Sequence, residues 1–200
     1  MIEQITRWPV LIVSNYRSGS TALLGSLENN PVYSVYGEPR IIPGAIRTDK
    51  FLQKYHKGEK NYIVKTIIDQ IPDMPELQYL LNSDCFKIRL IRDNLVDQVT
   101  SYYVSLKTEV WNIESEIDNL SRTVEIDDRI IHFAIETICK NEIDLRNLNI
   151  KFDLELVYED LGTMYNIATG QLKFIRLIPP ENINEIKKHI RNLMLEKCSK

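Results

Sequence analysis

Cysteine is scarce in this chain of 200 residues. The three present, Cys85, Cys139 and Cys198, are far apart and lack CxxC spacing. That excludes a disulfide framework and a cysteine-built zinc site, and it fits a reducing compartment. Seven glycines and eight prolines leave no collagen-like, linker-rich or low-complexity stretch. No apolar run approaches the length of a membrane span, and the opening MIEQITRW has no basic-then-apolar signal pattern. A cytoplasmic protein with no membrane partner is expected. The formal charge is only −3, which argues against broad nucleic-acid binding while leaving room for a local basic pocket. Histidine is also rare, with His56, His132 and His189 all outside any recognisable motif.

What is present is an ordinary globular composition, 44% hydrophobic and 26% charged. Short apolar runs alternate with longer amphipathic ones, the pattern of a parallel sheet flanked by helices. Strands are expected at 10–13 (VLIV), 32–36, 62–65, 85–91 (CFKIRLI) and 154–158. A helix bearing Leu23, Leu24 and Leu27 should follow the first strand and stop at Asn29-Asn30-Pro31. A second, capped by Asp93 or Asn94, carries Leu95, Val99, Tyr102, Tyr103 and Leu106 on one side. A third spans 127–145 with Asp127 or Asp128 as its cap, and an amphipathic helix closes the chain. No repeat or composition break divides the sequence, so residues 1–200 are read as a single α/β domain of three layers, a central parallel sheet with flanking helices.

The most informative stretch is Arg17-Ser18-Gly19-Ser20-Thr21, between the first strand and its helix. A small-residue turn there aims free backbone N–H groups and the helix dipole at one point, which favours an anion. Gly19 permits close approach, Ser18, Ser20 and Thr21 add hydroxyls, and Arg17 supplies a fork suited to phosphate or sulfate. A Walker A loop would need Lys where Ser20 stands. Instead the segment resembles the 5′-phosphosulfate loop of sulfotransferases that use 3′-phosphoadenosine 5′-phosphosulfate (PAPS), with Tyr16 in place of their usual Pro.

Arg92-Asp93-Asn94 with Thr100-Ser101-Tyr102-Tyr103 resembles the 3′-phosphate motif of the same family, a strand-end Arg followed eight positions later by Ser. Thr100 has that offset, whereas Ser101 has the Ser-Tyr-Tyr context. The two point about 100° apart on a helix, so one of them faces the phosphate, and Ser101 is preferred. Tyr158-Glu159-Asp160-Leu161 resembles the family's late Y-E-D/E-L segment. The resemblance spans most of 8–161 and implies a P-loop NTPase-like sulfotransferase fold, PAPS as donor, adenosine 3′,5′-bisphosphate as product, and no metal.

Sulfonyl transfer needs a base for the acceptor hydroxyl and positive charge on the leaving phosphate. The K-T-H histidine of the phenol and steroid enzymes is absent, since Lys65-Thr66 leads to Ile67; Lys65 remains as a contact for the bridging oxygen or sulfonyl group. Gly37-Glu38-Pro39-Arg40-Ile41-Ile42-Pro43 resembles the G-E-x-x-R-x-I-P segment of tyrosylprotein sulfotransferases. By that resemblance Glu38 is the general base and Arg40 a transition-state or acceptor contact. Lys107-Thr108-Glu109-Val110-Trp111 is similar instead to the T-G-x-W of bacterial sugar sulfotransferases, so a sugar or a tyrosine-type small-molecule hydroxyl both stay open as acceptors. Two other readings are carried. One is a P-loop small-molecule kinase, which lacks the Walker Lys and a clear magnesium-binding Asp after an apolar strand. The other is a catalytically silent nucleotide-binding module.

Overall fold

The computed structural model describes residues 5–25, 27, 34–36, 50–109, 123–165 and 180–198. Five parallel strands, β1 (Val10–Ser14), β2 (Ser34–Tyr36), β3 (Tyr62–Ile67), β4 (Phe86–Ile91) and β5 (Leu154–Val157), form one sheet in the order β2-β3-β1-β4-β5. Every residue of β1 is buried, as the apolar run Val10–Val13 in a central parallel strand requires. Ser14 is in register with Ile67 of β3 and Leu90 of β4, and Ile91 is in register with Val157 of β5. The chain therefore leaves all four of these strands at one level.

The two faces of β1 bury against different helices. Val10 and Ile12 pack with Leu23 and Leu24 of α1 (Ser20–Gly25) and Leu161 of α6 (Tyr158–Tyr165). Leu11 and Val13 pack with Leu52 of α2 (Lys50–His56), Leu77, Leu80 and Leu81 of α3 (Pro75–Asn82), and Leu145 of α5 (Asp128–Asn147). The three-layer α/β arrangement read from the sequence is thus what the described residues adopt. A separate apolar cluster joins α5 to α4 (Leu95–Thr108) and α7 (Ile183–Cys198) through Val99, Tyr103, Ile131, Ile138, Ile186 and Ile190.

The cap choices resolve on hydrogen bonds. Asn94 Oδ1 accepts from the Asp97 N–H at 3.1 Å and starts α4. Asp127 Oδ1 accepts from Arg129 and Ile130 and starts α5. At the other end of α5, Arg89 of β4 donates to the carbonyls of Leu145 and Arg146, both at 3.4 Å, where a cation also complements the helix dipole. Several boundaries differ from the sequence expectation: α1 ends at Gly25, before Asn29, Tyr158 opens α6 rather than closing β5, β3 runs on to Ile67, and β1, β4 and α5 shift by one or two residues at an end.

Candidate anion-binding site

β1 leads leftward to β2 at one edge, while β4 leads rightward to β5 at the other. The crevice between the carboxyl ends of β1 and β4 is therefore the point where the winding reverses, the place where open α/β sheets bind ligands. Arg17 and Arg92 follow those two strands. Arg92 Nη1 donates to the Arg17 carbonyl at 3.0 Å, and Arg17 Nε donates to Ser101 Oγ at 2.8 Å. The two phosphate anchors expected from sequence lie side by side and in contact.

The turn is held by its carbonyls. Besides Arg92 on Arg17, the fully buried Gln98 donates Nε2 to the Tyr16 carbonyl at 2.7 Å. Asn15 accepts from the Tyr16 N–H at 2.8 Å and donates to the Ile138 carbonyl of α5 at 2.9 Å. Tyr16 stacks on Tyr102 with centroids 5.0 Å apart. Arg17 and Gly19 both adopt the left-handed region, at φ 56° and 83°. For Arg17 that is uncommon backbone, of the kind found at ligand clamps. The carbonyls of Tyr16 and Arg17 are thus both tied back by side chains of the segment after β4.

The charge balance of the crevice is positive. Burial, and then the neighbouring Arg92, pull the Arg17 guanidinium below its ordinary value. Arg92 Nε lies 3.6 Å from Glu159 Oε1, outside hydrogen-bond range, and is buried without a hydrogen-bond partner. Glu159 is meanwhile committed to α4, accepting from the Asp93 and Asn94 N–H groups at 3.1 and 3.2 Å. Lys65, 4% exposed, extends from β3 to donate to Thr21 Oγ1 at 3.3 Å. The Arg92 guanidinium lies against the Arg17 backbone and depresses the Arg17 guanidinium electrostatically, a repulsion that a shared anion would offset.

The structure sorts the sequence candidates. Arg17, Gly19, Ser20, Thr21, Lys65, Arg92 and Ser101 gather at the carboxyl edge of the sheet. Two hydroxyls do not face the crevice. Ser18, fully buried, donates Oγ to the Asn15 carbonyl at 2.8 Å, and Thr100 donates to the Val96 carbonyl of its own helix at 2.6 Å. Ser101, not Thr100, reaches the anchor. Glu38 and Arg40 lie outside the described residues, as does Trp111. Lys187 pairs with Asp97 of α4 at 2.8 Å, a packing contact between helices. His56 stands on α2, exposed, 3.8 Å from Glu76, and His189 of α7 pairs with Asp128 at 2.6 Å.

Three residues were not singled out as contributors to this site. Gln98 belongs to none of the motifs, whereas Tyr158 opens the Tyr158-Glu159-Asp160-Leu161 segment and meets Arg92 and Gly19 here. Asp69 stands two residues beyond β3, so a carboxylate does follow that strand; its Oδ2 accepts from Asn141 at 3.3 Å and its Oδ1 is buried without a partner. Among the described residues, no group of three or more His, Cys, Asp or Glu could hold a metal ion, and no helix is long and apolar enough to cross a membrane. A 340 Å³ cavity at the opposite sheet edge is lined by Arg7, Asp84, Lys87 and Asp153, but there Arg7 bonds both aspartates. No protein-family model matches the chain, and no curated protein matches it either.

Proposed function

We propose that this chain is a sulfotransferase of the P-loop NTPase-like fold, moving a sulfonyl group from PAPS to an acceptor hydroxyl in the cytoplasm. The observation that carries the reading is the contact between Arg17 and Arg92 across the crevice, with Ser101 on the same anchor. Three motifs distant in sequence supply a cationic site at one sheet edge, and the donor is a nucleotide with anionic groups on both its 3′ and 5′ sides. In the reaction the acceptor oxygen attacks sulfur in line, and its proton passes to Glu38. The bond from sulfur to the bridging oxygen breaks, and adenosine 3′,5′-bisphosphate leaves with the electron pair. Arg17 and Lys65 offset the charge that develops on the departing phosphate, and Arg40 contacts the acceptor side. A sugar or tyrosine-type hydroxyl fits the motifs equally.

The buried free oxygen of Asp69 favours one second reading, a phosphoryl-transfer enzyme using a nucleoside triphosphate with magnesium. A single assay separates the two. Incubated with PAPS and a panel of sugar and phenolic acceptors, the protein should release adenosine 3′,5′-bisphosphate only when an acceptor is present, in EDTA as well as in magnesium. Acceptor-dependent ADP formation from ATP and magnesium, with PAPS inert, would overturn the sulfotransferase assignment.

A further inference from the structure

Tyr158 occupies a position that neither the transfer chemistry nor the two anchor motifs assigns. It is the first residue after β5, level with the end of β4 because Val157 is in register with Ile91. From there its ring reaches past Arg92 to the turn after β1. The Arg92 guanidinium carbon stands 4.4 Å from the ring centroid. A Cβ placed on Gly19 would lie 2.3 and 2.5 Å from Tyr158 Cδ2 and Cε2, so the ring rests directly on the bare α-carbon of that glycine. Arg92 in turn bonds the Arg17 carbonyl. Gly19, Tyr158, Arg92 and Arg17 thus close a circuit of contacts. A guanidinium stacked on an aromatic face loses most of its freedom to pivot, and a loop resting on the Cδ2–Cε2 side of that ring shifts only if the ring does.

We propose that Tyr158 is a positioning residue that joins the loop after β1 and the arginine after β4 into one two-point clamp, making the site selective for a ligand with two anionic groups. The selectivity rests on reading the crevice as a bisphosphate site; the mechanical coupling does not. Both contacts are made by ring carbons, which is why Y158F is the conservative variant of choice. Coupling of this kind appears as non-additivity between substitutions of the linked residues.

Calorimetry with adenosine 3′,5′-bisphosphate and with 5′-AMP, on wild type, Y158F, Y158L, R92A and R92A/Y158L, tests it. Y158F should bind both ligands within about twofold of wild type. Y158L should lose about tenfold in bisphosphate affinity and less than about threefold for 5′-AMP, and the R92A penalty should shrink in its background. Equal losses for the two ligands in Y158L, or strictly additive penalties, would overturn the clamp. A second cycle needs no ligand: the fall in melting temperature caused by G19A should be clearly smaller in a Y158A background, where the colliding ring is gone. Additive melting shifts there overturn the coupling whatever the protein binds. A wild type that holds the bisphosphate no better than 5′-AMP overturns the bisphosphate reading, and the melting cycle still decides the coupling.

Discussion

Gly19 sits at φ 83° with the Tyr158 ring where a side chain would begin. Both facts act against any replacement. Left-handed backbone costs an alanine about 1–2 kcal/mol, and the ring must move as well, taking Arg92 with it. Gly19→Ala should therefore lower the melting temperature by at least roughly 2–8 °C, taking about 2–4 °C per kcal/mol for a chain of this size, and should weaken anion binding beyond that. A variant with unchanged melting and unchanged bisphosphate affinity would remove the ring contact from the account. In the proposed reaction Glu38 is the general base and no part of the clamp. Glu38→Gln keeps shape and much of the hydrogen bonding but cannot take the acceptor proton. Its turnover should drop by about 10²–10⁴-fold with the nucleotide dissociation constant little changed. Pre-steady-state measurement of bisphosphate release checks this, and a rate within threefold of wild type on the true acceptor would end the assignment.

Among the elements, the caps give the clearest test. Asn94 satisfies one orphan N–H of α4 and Glu159 satisfies further donors at the same end. Asn94→Ala should cost about 1 kcal/mol and Asn94→Asp almost nothing, since Asp caps as well as Asn; denaturant midpoints would show the ordering. Asp127 adds a charge to its cap. Burial pushes its carboxyl up, but the N–H groups of Ile130 and Arg129 prevail and hold it below the ordinary value. A folded pKa below the unfolded one means stability that is present above the unfolded value and is lost as pH falls through the folded value. Melting temperature should thus fall further below about pH 4 in wild type than in Asp127→Asn, which keeps the cap without the proton. Parallel curves for the two would show that the charge contributes nothing. The five strands and the helices α4, α5 and α7 were legible because each has a periodic apolar pattern or a polar cap next to one. In the helix α2, Leu52 and Tyr55 are the described side chains packed on the core, and the surrounding stretch is polar, so the helix does not signal itself. The hydroxyls of Ser18 and Thr100 are not placed by spacing, because a hydroxyl's partner depends on backbone geometry: each donates to a carbonyl three or four residues back. Arg17, Arg92 and Ser101 were legible through spacing, but their direct contact was not, since strand order alone brings β1 beside β4.

For the molecule as a whole, the formal charge of −3 is small and of the wrong sign to attract anions generally. Anion affinity must then come from the crevice, where Arg17, Arg92 and Lys65 are concentrated at one sheet edge. Filling it relieves the repulsion between the two arginines, so a fitting ligand should stabilise the entire fold. At a hundred times its dissociation constant a ligand adds about 2.7 kcal/mol, which for a chain of this size is a rise of roughly 5–10 °C in melting temperature. Adenosine 3′,5′-bisphosphate should produce that shift, and 5′-AMP at the same concentration should produce distinctly less. Raising the salt to about 1 M shortens the screening length to roughly 3 Å and should shrink the bisphosphate shift at fixed concentration. Arg92→Ala should reduce the difference between the two nucleotides while leaving the loop's share of the binding, because the proposed second anchor loses its cation. A shift that is indifferent to Arg92 would place the nucleotide elsewhere on the molecule. A larger shift with ATP and magnesium than with the bisphosphate would move the weight of the crevice from Arg92 to Asp69.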